Sequence, residues 1–264
     1  MKHVQVIEDN ALTYYKGLAR LLDGRFTEND EVAWFSTGRR SLYRFNGVVR
    51  TVTRAEDLSR IVDPILESFL SKRLPFFWAD FPDVGTPGLS DYLSSKDVRW
   101  THIKGMPCMS RGLDGLPESS FPKEVEIVHV QTEQDQVEWL NVLMEGFEEP
   151  EASRTDFQRY LSNSLTDPKP VFKHFLARWQ GEPCAISTLL HADLGAGIYH
   201  VTTLPVQRGR GLGKALTLTA MQSARRAGYK QVILFATTSG FPIYERLGFT
   251  TASTADAFVW NGNE

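Results

Sequence analysis

A short glycine-rich segment, Arg208-Gly-Arg-Gly-Leu-Gly-Lys214, is the feature that most constrains the fold of this chain. It follows a strand-like run, Ile198 to Leu204, and precedes an amphipathic stretch that ends at Gly228. Glycine lets backbone N–H groups come close to a ligand, and the first turn of a helix offers four N–H groups without intrahelical partners. The segment therefore predicts a strand–loop–helix unit with an anion site, most naturally for a pyrophosphate.

Several explanations of this segment compete. A Walker loop needs Ser or Thr after its lysine, and Lys214 is followed by Ala215. A dinucleotide-binding fingerprint would lack its last glycine and the acidic residue expected about 20 residues on. A plain glycine-rich helix cap would explain neither the preceding strand nor the cations that flank the glycines. The pattern Arg/Gln-x-x-Gly-x-Gly/Ala is matched in full by Arg208, Gly211 and Gly213.

That last pattern resembles the phosphate loop of the GCN5-related N-acetyltransferases (GNAT). A second segment, Ile243 to Phe249, resembles the Tyr-x-x-x-Gly-Phe signature of the same family. The elements predicted for residues 124–260, in the order βααβββαβαβ, follow the family order and cover about half the chain. The resemblance implies an α/β (α+β) fold with a GNAT-like mixed central sheet flanked by helices.

The resemblance also implies acetyl-CoA as cofactor. The function that the resemblance implies is transfer of the acetyl group to a primary amine of a small molecule or a protein, by direct attack of the amine on the thioester. The residues that match the family's pyrophosphate loop are Arg208, Gly209, Arg210, Gly211, Leu212 and Gly213, with Lys214 adjacent. The strand residues that match its pantetheine-pairing segment are Val201, Thr202 and Thr203. A non-catalytic acyl-CoA-binding or regulatory module and an O-acyltransferase are the alternatives.

The resemblance gives Tyr244 the role of the acid that protonates the leaving thiolate, although a tyrosine on a short helix can also serve packing alone. The general base stays open, because Gly197 stands where family members often carry a glutamate. The leading candidates are His200 on the same strand and Glu148 after the first helix. The further candidates are His191, Glu145 and Glu149.

The chain is expected to divide near residue 121, within a Gly-, Pro- and Ser-rich segment, into an α/β domain (1–120) and the acetyl-CoA-binding catalytic domain (121–264). In the first half, the order of strand (Phe76 to Asp80), short helix and strand (Trp100 to Ile103) resembles the end of the second half. It is interpreted as a smaller, degenerate GNAT-like unit that shapes the acceptor site and binds no acyl-CoA. An unrelated α/β domain is the alternative.

Composition argues against several other classes of protein. The 29 Lys and Arg residues nearly balance 32 Asp and Glu residues, giving a net charge of −3, which argues against a dedicated nucleic-acid or membrane-surface binder. Two cysteines, Cys108 and Cys184, are too few for a disulfide framework or a cysteine zinc site, and no metal is expected. Without a bilayer-length apolar run or a signal-peptide core, the expectation is a cytoplasmic monomer or homodimer whose partner is a small-molecule or peptide amine.

Overall fold

The computed structural model describes residues 2–81, 85–117 and 123–262, with side chains from residue 5 onwards. Its helices are α1 (Lys2–Leu21), α2 (Leu58–Leu70), α3 (Leu89–Ser94), α4 (Glu133–Gly146), α5 (Arg154–Thr166), α6 (Leu212–Arg226) and α7 (Phe241–Arg246). Its strands are β1 (Arg25–Glu28), β2 (Val32–Ser36), β3 (Asn46–Thr51), β4 (Phe76–Asp80), β5 (Thr101–Gly112), β6 (Val125–His129), β7 (Phe172–Trp179), β8 (Glu182–Leu190), β9 (Ala196–Thr203), β10 (Gln231–Phe235) and β11 (Thr250–Trp260). None of the described helices is long and apolar enough to cross a membrane.

The chain forms two compact units. The first comprises Met1–Cys108 together with Ala252–Glu264, and the second comprises Met109–Thr251. The element order predicted for the second half, βααβββαβαβ, is confirmed from β6 to β11. In the second unit the strands lie in the order β10-β9-β8-β7-β6, with β6 to β9 antiparallel and β10 parallel to β9. This is a mixed sheet flanked by helices.

Helix α6 is positioned in the second unit by a stripe of buried residues at four-residue spacing. Leu212, Leu216, Ala220 and Ala224 share one face of the helix and join the core of this unit. A four-residue repeat keeps side chains on one side of an α-helix, and Leu218, on the opposite side of α6, is buried as well. The stripe begins at the first helical residue, which anchors the N-terminus of α6 beside the end of β9.

The first unit repeats the topology of the second. Its elements α1-β1-β2-β3-α2-β4-α3 follow the same order as α5-β7-β8-β9-α6-β10-α7. In both units the first three of these strands are antiparallel neighbours and the fourth is parallel to the third. The similarity noticed in the sequence between the two halves therefore extends through seven successive elements.

The two units do not coincide with the two halves of the sequence. The expected boundary near residue 121 lies outside the described residues, and the units divide after Cys108 and again after Thr251. Strand β11, from the end of the chain, pairs antiparallel with β4 inside the first unit. Just after β5, the N–H of Leu113 donates to the carbonyl of Lys230 inside the second unit. Pairing between strands that are far apart in the sequence depends on which residues become buried in the folded chain. Local composition does not show this.

Candidate functional site

The loop between β9 and α6 has the backbone conformation that its glycines permit. Gly209 and Gly211 have φ values of 82° and 77°, in the left-handed region that other residues rarely adopt. A Cβ at either position would meet no atom within 4 Å, so the inner surface of the loop is open backbone. The N–H of Ala215 donates to the carbonyl of Gly211 at 3.0 Å, as the first hydrogen bond of α6. The N–H groups before it have no partner within the helix, an arrangement that favours an anion.

Three exposed cations surround this site. The Arg208 side chain donates from Nε to the carbonyl of Thr203 at 3.2 Å, which holds it against the end of β9. The Arg210 guanidinium lies 4.8 Å from the centre of the Trp179 ring, within the range of a cation–π contact. Lys214 lies exposed in the first turn of α6. We call the segment Arg208–Lys214 the phosphate cradle. Sequence reasoning missed Trp179, because no local pattern connects the end of β7 to this loop.

Strands β9 and β10 pair only at their first residues and then separate. The parallel register joins Ala196 to Val232 and Gly197 to Ile233, and no later residue of β9 pairs with β10 within these fully described strands. The separated edge of β9 includes Val201, and a short 3-10 turn, Pro205–Gln207, joins the strand to the phosphate cradle. An unpaired strand edge offers alternating N–H and C=O groups to an extended ligand.

Tyr244 lies on α7, next to the cradle. The neighbouring Ile243 lies close to the first turn of α6, since a Cβ built at Gly213 would be 3.9 Å from its Cδ1. The Tyr244 ring covers Gly240, where a Cβ would come within 2.8 Å of ring atom Cε2, so glycine is required there. Tyr244 is 7% exposed, and burial raises the pKa of its hydroxyl to about 12. The phenol therefore keeps its proton at neutral pH.

Comparison with known proteins agrees with this geometry. Residues 135–249 match the acetyltransferase (GNAT) family. This part of the chain is a GNAT-family domain. Among curated relatives, the mycothiol acetyltransferase of Streptomyces coelicolor is 32% identical over 150 residues, which are 54% of this chain and 48% of the relative. The chain thus spans about half the length of the curated relatives it matches.

Solved structures similar to this chain extend beyond the GNAT domain. A GCN5-related N-acetyltransferase from Kribbella flavida superposes with a TM-score of 0.72 and 19% identity, covering 96% of both chains. A tandem GNAT protein from the clavulanic acid biosynthesis pathway gives a TM-score of 0.62 at 12% identity, covering 88% of this chain and 79% of that one. At such identities the likeness concerns the fold alone.

Strand β9 of the GNAT domain contains a bulge at His200. Strands β8 and β9 pair regularly except where Ser187 of β8 faces two residues of β9, His200 and Val201. His200 has a φ of 51°, a left-handed conformation that costs a non-glycine residue about 1–2 kcal/mol. A bulge redirects the side chains around it, and here it bends β9 at the point where the strand has left β10.

The His200 ring lies against buried aromatic and polar groups. Its Nδ1 is 3.2 Å from the hydroxyl oxygen of Thr188, and its ring meets those of Trp139 and Tyr160 edge-on at 5.7 and 5.8 Å. The side chain is half-buried. Of the histidines considered as bases, His200 is thus held in a defined orientation on the strand that leads to the cradle, whereas His191 packs beside Tyr229.

Glu148 lies in an exposed turn just beyond α4, with a φ of 54°. Two residues earlier, the carbonyl of Gly146 accepts a hydrogen bond of 3.0 Å from the hydroxyl of Thr202. A Cβ at Gly146 would come within 2.6 Å of that hydroxyl oxygen, so glycine permits this close contact between the end of α4 and β9. The end of α4, two residues before Glu148, therefore lies against β9 at Thr202, but no hydrogen bond within the described residues joins Glu148 to His200 or Tyr244.

Cys184 does not have the properties of a nucleophile. Its side chain is fully buried, and its Sγ contacts the carbonyl of Ala177 at 3.2 Å. Burial raises the pKa of the thiol to about 11, so the reactive thiolate is not formed at neutral pH. A covalent acetyl-cysteine route is therefore not supported by this site.

Proposed function

We propose that this protein is an acetyl-CoA-dependent N-acetyltransferase that acts on a primary amine of a small molecule or a peptide. The observation that carries the proposal is the phosphate cradle. Two left-handed glycines with open faces precede α6, and exposed cations surround them. A side chain at either glycine would fill the space that a pyrophosphate needs, and the helix N-terminus supplies the N–H groups and the dipole that favour it.

The residues of the GNAT domain fit the cofactor along its length. The cradle from Arg208 to Gly213, with Lys214 beside it, would hold the pyrophosphate. The separated edge of β9 at Val201 to Thr203 would pair with the pantetheine amides, because β10 does not use that edge. Bound acetyl-CoA supplies an activated acyl group, so no covalent enzyme intermediate is needed. A backbone N–H of the same β9 segment would stabilise the oxyanion.

Two side chains of the GNAT domain would transfer the protons of the reaction. Tyr244 keeps its phenolic proton at neutral pH and can give it to a departing thiolate. His200 is the base that takes the proton of the attacking ammonium, since an alkylammonium group does not attack until it is deprotonated. Glu148, as an exposed carboxylate beyond α4, would attract a cationic acceptor.

The acceptor is the least constrained part of the proposal. The relatives named mycothiol acetyltransferase match just over half of this chain, which makes an acceptor of the mycothiol class a first candidate beside simple primary amines. The first unit, which has no phosphate cradle within its described residues, is proposed to bind no acyl-CoA and to contribute to acceptor selection. Release of free CoA in the presence of each amine separates a transferase from a binding module.

The cradle is tested by Gly211→Val. This change closes the open backbone face and strains the left-handed conformation, so acetyl-CoA affinity measured by calorimetry should fall at least 100-fold. Gly228→Val is the matched control, because Gly228 follows the other end of α6 with a φ of 92° and equally open surroundings. The control should lose similar thermal stability yet keep its affinity. Equal affinities in the two variants would refute the pyrophosphate assignment.

A further inference from the structure

Beneath the bulge of β9, a line of buried polar side chains connects α5 to His200. The Ser164 hydroxyl oxygen is 2.8 Å from Nε2 of His174, and Nδ1 of His174 is 2.9 Å from the hydroxyl oxygen of Thr188. The same Thr188 oxygen is 3.2 Å from Nδ1 of His200. His174 and Thr188 are fully buried and Ser164 is 3% exposed, so the two inner hydrogen bonds form away from water, and the outer one, to the half-buried His200, is partly shielded.

The direction of donation along this hydrogen-bonded chain is fixed at Ser164, the end farthest from His200. The Ser164 hydroxyl lies 2.7 Å from the carbonyl oxygen of Leu161. A carbonyl has no proton, so the single proton of the hydroxyl must lie between these two oxygens. The Ser164 oxygen is then only an acceptor toward His174, and Nε2 of His174 must carry a proton.

The protonation of His174 in turn fixes the direction in which the Thr188 hydroxyl donates. Burial, together with the nearby His200 and His129, lowers the pKa of His174 well below its ordinary value, so its ring is neutral. A neutral imidazole with its proton on Nε2 has a lone pair on Nδ1. The Thr188 hydroxyl must therefore donate to His174, and its oxygen can only accept from Nδ1 of His200.

We propose that this chain holds neutral His200 as the Nδ1–H tautomer, with its lone pair on Nε2, and that Thr188, His174 and Ser164 are positioning residues for the base. The inference rests on the proposed function only in giving His200 the role of base. A base needs its lone pair on the nitrogen that faces the proton, and an unconstrained imidazole prefers to carry its proton on Nε2. The hydrogen-bonded chain reverses this preference for a proton on Nε2 before any substrate is present.

Nitrogen NMR of the ¹⁵N-histidine-labelled full chain tests the tautomer directly, because protonated and unprotonated ring nitrogens resonate far apart. The chain contains six histidines, and His200→Gln identifies the His200 signals by their loss. The parent should show a protonated Nδ1 and an unprotonated Nε2. Thr188→Val, which removes the hydroxyl at nearly constant shape, should move His200 toward the Nε2–H form, and Thr188→Ser should retain the parent tautomer.

Kinetics then tests whether the tautomer matters. In Thr188→Val, kcat should fall about 10- to 100-fold, part of the general-base contribution, while KM for acetyl-CoA stays unchanged. Thr188→Ser should recover kcat to within a few-fold of the parent. A purely structural role would lower stability without this split between the two variants.

The possible outcomes separate this inference from the proposed function. A parent with its proton on Nε2 of His200, or a Thr188→Val tautomer identical to the parent's, would overturn the inference whatever the activity. A shifted tautomer with unchanged kcat would overturn the positioning role. The expected tautomers in a chain that acetylates no amine would leave the hydrogen-bonded chain standing and remove the transferase proposal instead.

Discussion

The two units contain the same strand–helix–strand arrangement, yet only one of them has a phosphate cradle within the described residues. In the second unit, β9 leads into α6 and then into β10, and the two strands pair at two positions before they separate. In the first unit, β3 leads into α2 and then into β4, and the strands pair only at Gly47–Phe77 and Val48–Trp78. The two backbones therefore offer equivalent places for a ligand.

The starts of the two helices differ in charge and in backbone. Ahead of α6 are left-handed glycines and exposed cations. Ahead of α2 is a short 3-10 turn, Ala55–Asp57, whose first turn carries the carboxylates Glu56 and Asp57. The neighbouring Arg60 is engaged by Glu31 at 2.6 Å. Carboxylates already occupy the positive end of this helix dipole, so a pyrophosphate would be repelled there.

The strand edges differ as well. In the second unit the edge of β9 beyond Gly197 does not pair with β10. In the first unit the buried Thr86 hydroxyl takes the corresponding place, accepting from the N–H of Thr53 at 2.8 Å and donating to the carbonyl of Thr51 at 3.4 Å. In the first unit, a side chain of the protein itself therefore satisfies backbone polar groups at the strand edge. In this topology a few residues thus decide whether the space between the two parallel strands stays available to a ligand.

The largest effect is expected from the chemistry that distinguishes the second unit. Tyr244→Phe keeps the ring and its packing on Gly240 but removes the acidic proton, so kcat should fall about 10²- to 10⁴-fold. Acetyl-CoA affinity by calorimetry should change little, because the cradle is untouched. Tyr229→Phe, in the same unit, serves as the control and should retain activity. Full activity in Tyr244→Phe would show that the phenol only packs.

A smaller effect is expected at the closed edge of the first unit. Thr86→Val keeps the shape of the side chain and leaves the N–H of Thr53 without its acceptor, which should lower the free energy of unfolding by about 1–3 kcal/mol. Calorimetry should give one acetyl-CoA per chain in both the parent and this variant, since the acidic start of α2 remains. A second binding site in either protein would contradict the contrast between the units.

The smallest effect concerns a buried carboxyl at the end of β4. Asp80 lies directly opposite Asp256 of β11, and burial, followed by the charge of Asp256, raises the pKa of Asp80 to about 6. Because this pKa is above its unfolded value of about 3.9, the native state binds more protons between those values, and stability falls as pH rises from 4 to 6.

Asp80→Asn removes this loss of stability at higher pH. It should stabilise the protein by about 1 kcal/mol at pH 7.5, a figure reduced for partial solvent screening, and the difference from the parent should vanish at pH 4. Urea unfolding at the two pH values measures it. Asp97→Asn, at an exposed aspartate of the same unit, should change stability little at either pH. A variant less stable than the parent at pH 7.5 would show that the charged form of Asp80 is stabilised in the fold.

Much of the fold could be read from local patterns. The apolar residues from Leu58 to Phe69 recur at helical spacing and predict α2, the apolar run after Lys230 predicts β10, and the glycine spacing after Arg208 predicts a loop that opens a helix. Strand β1 was missed because Arg25–Glu28 has no apolar alternation and pairs only with β2 in the described sheet. The Gly-, Pro- and Ser-rich segment around the expected boundary begins at Arg111, and its first residues, Arg111 and Gly112, instead complete β5.

The position of the phosphate cradle can be read from the amino-acid sequence, because a left-handed backbone with open faces needs glycine at particular positions. The place of Tyr244 beside its Gly-Phe pair can be read from the sequence as well. The pairing of β11 with β4 is visible only in the folded chain, and so is the hydrogen-bonded chain of His174, Thr188 and His200. Such pairings join residues far apart in the chain, and their free energy comes from burial and from satisfied polar groups that exist only once the strands have packed.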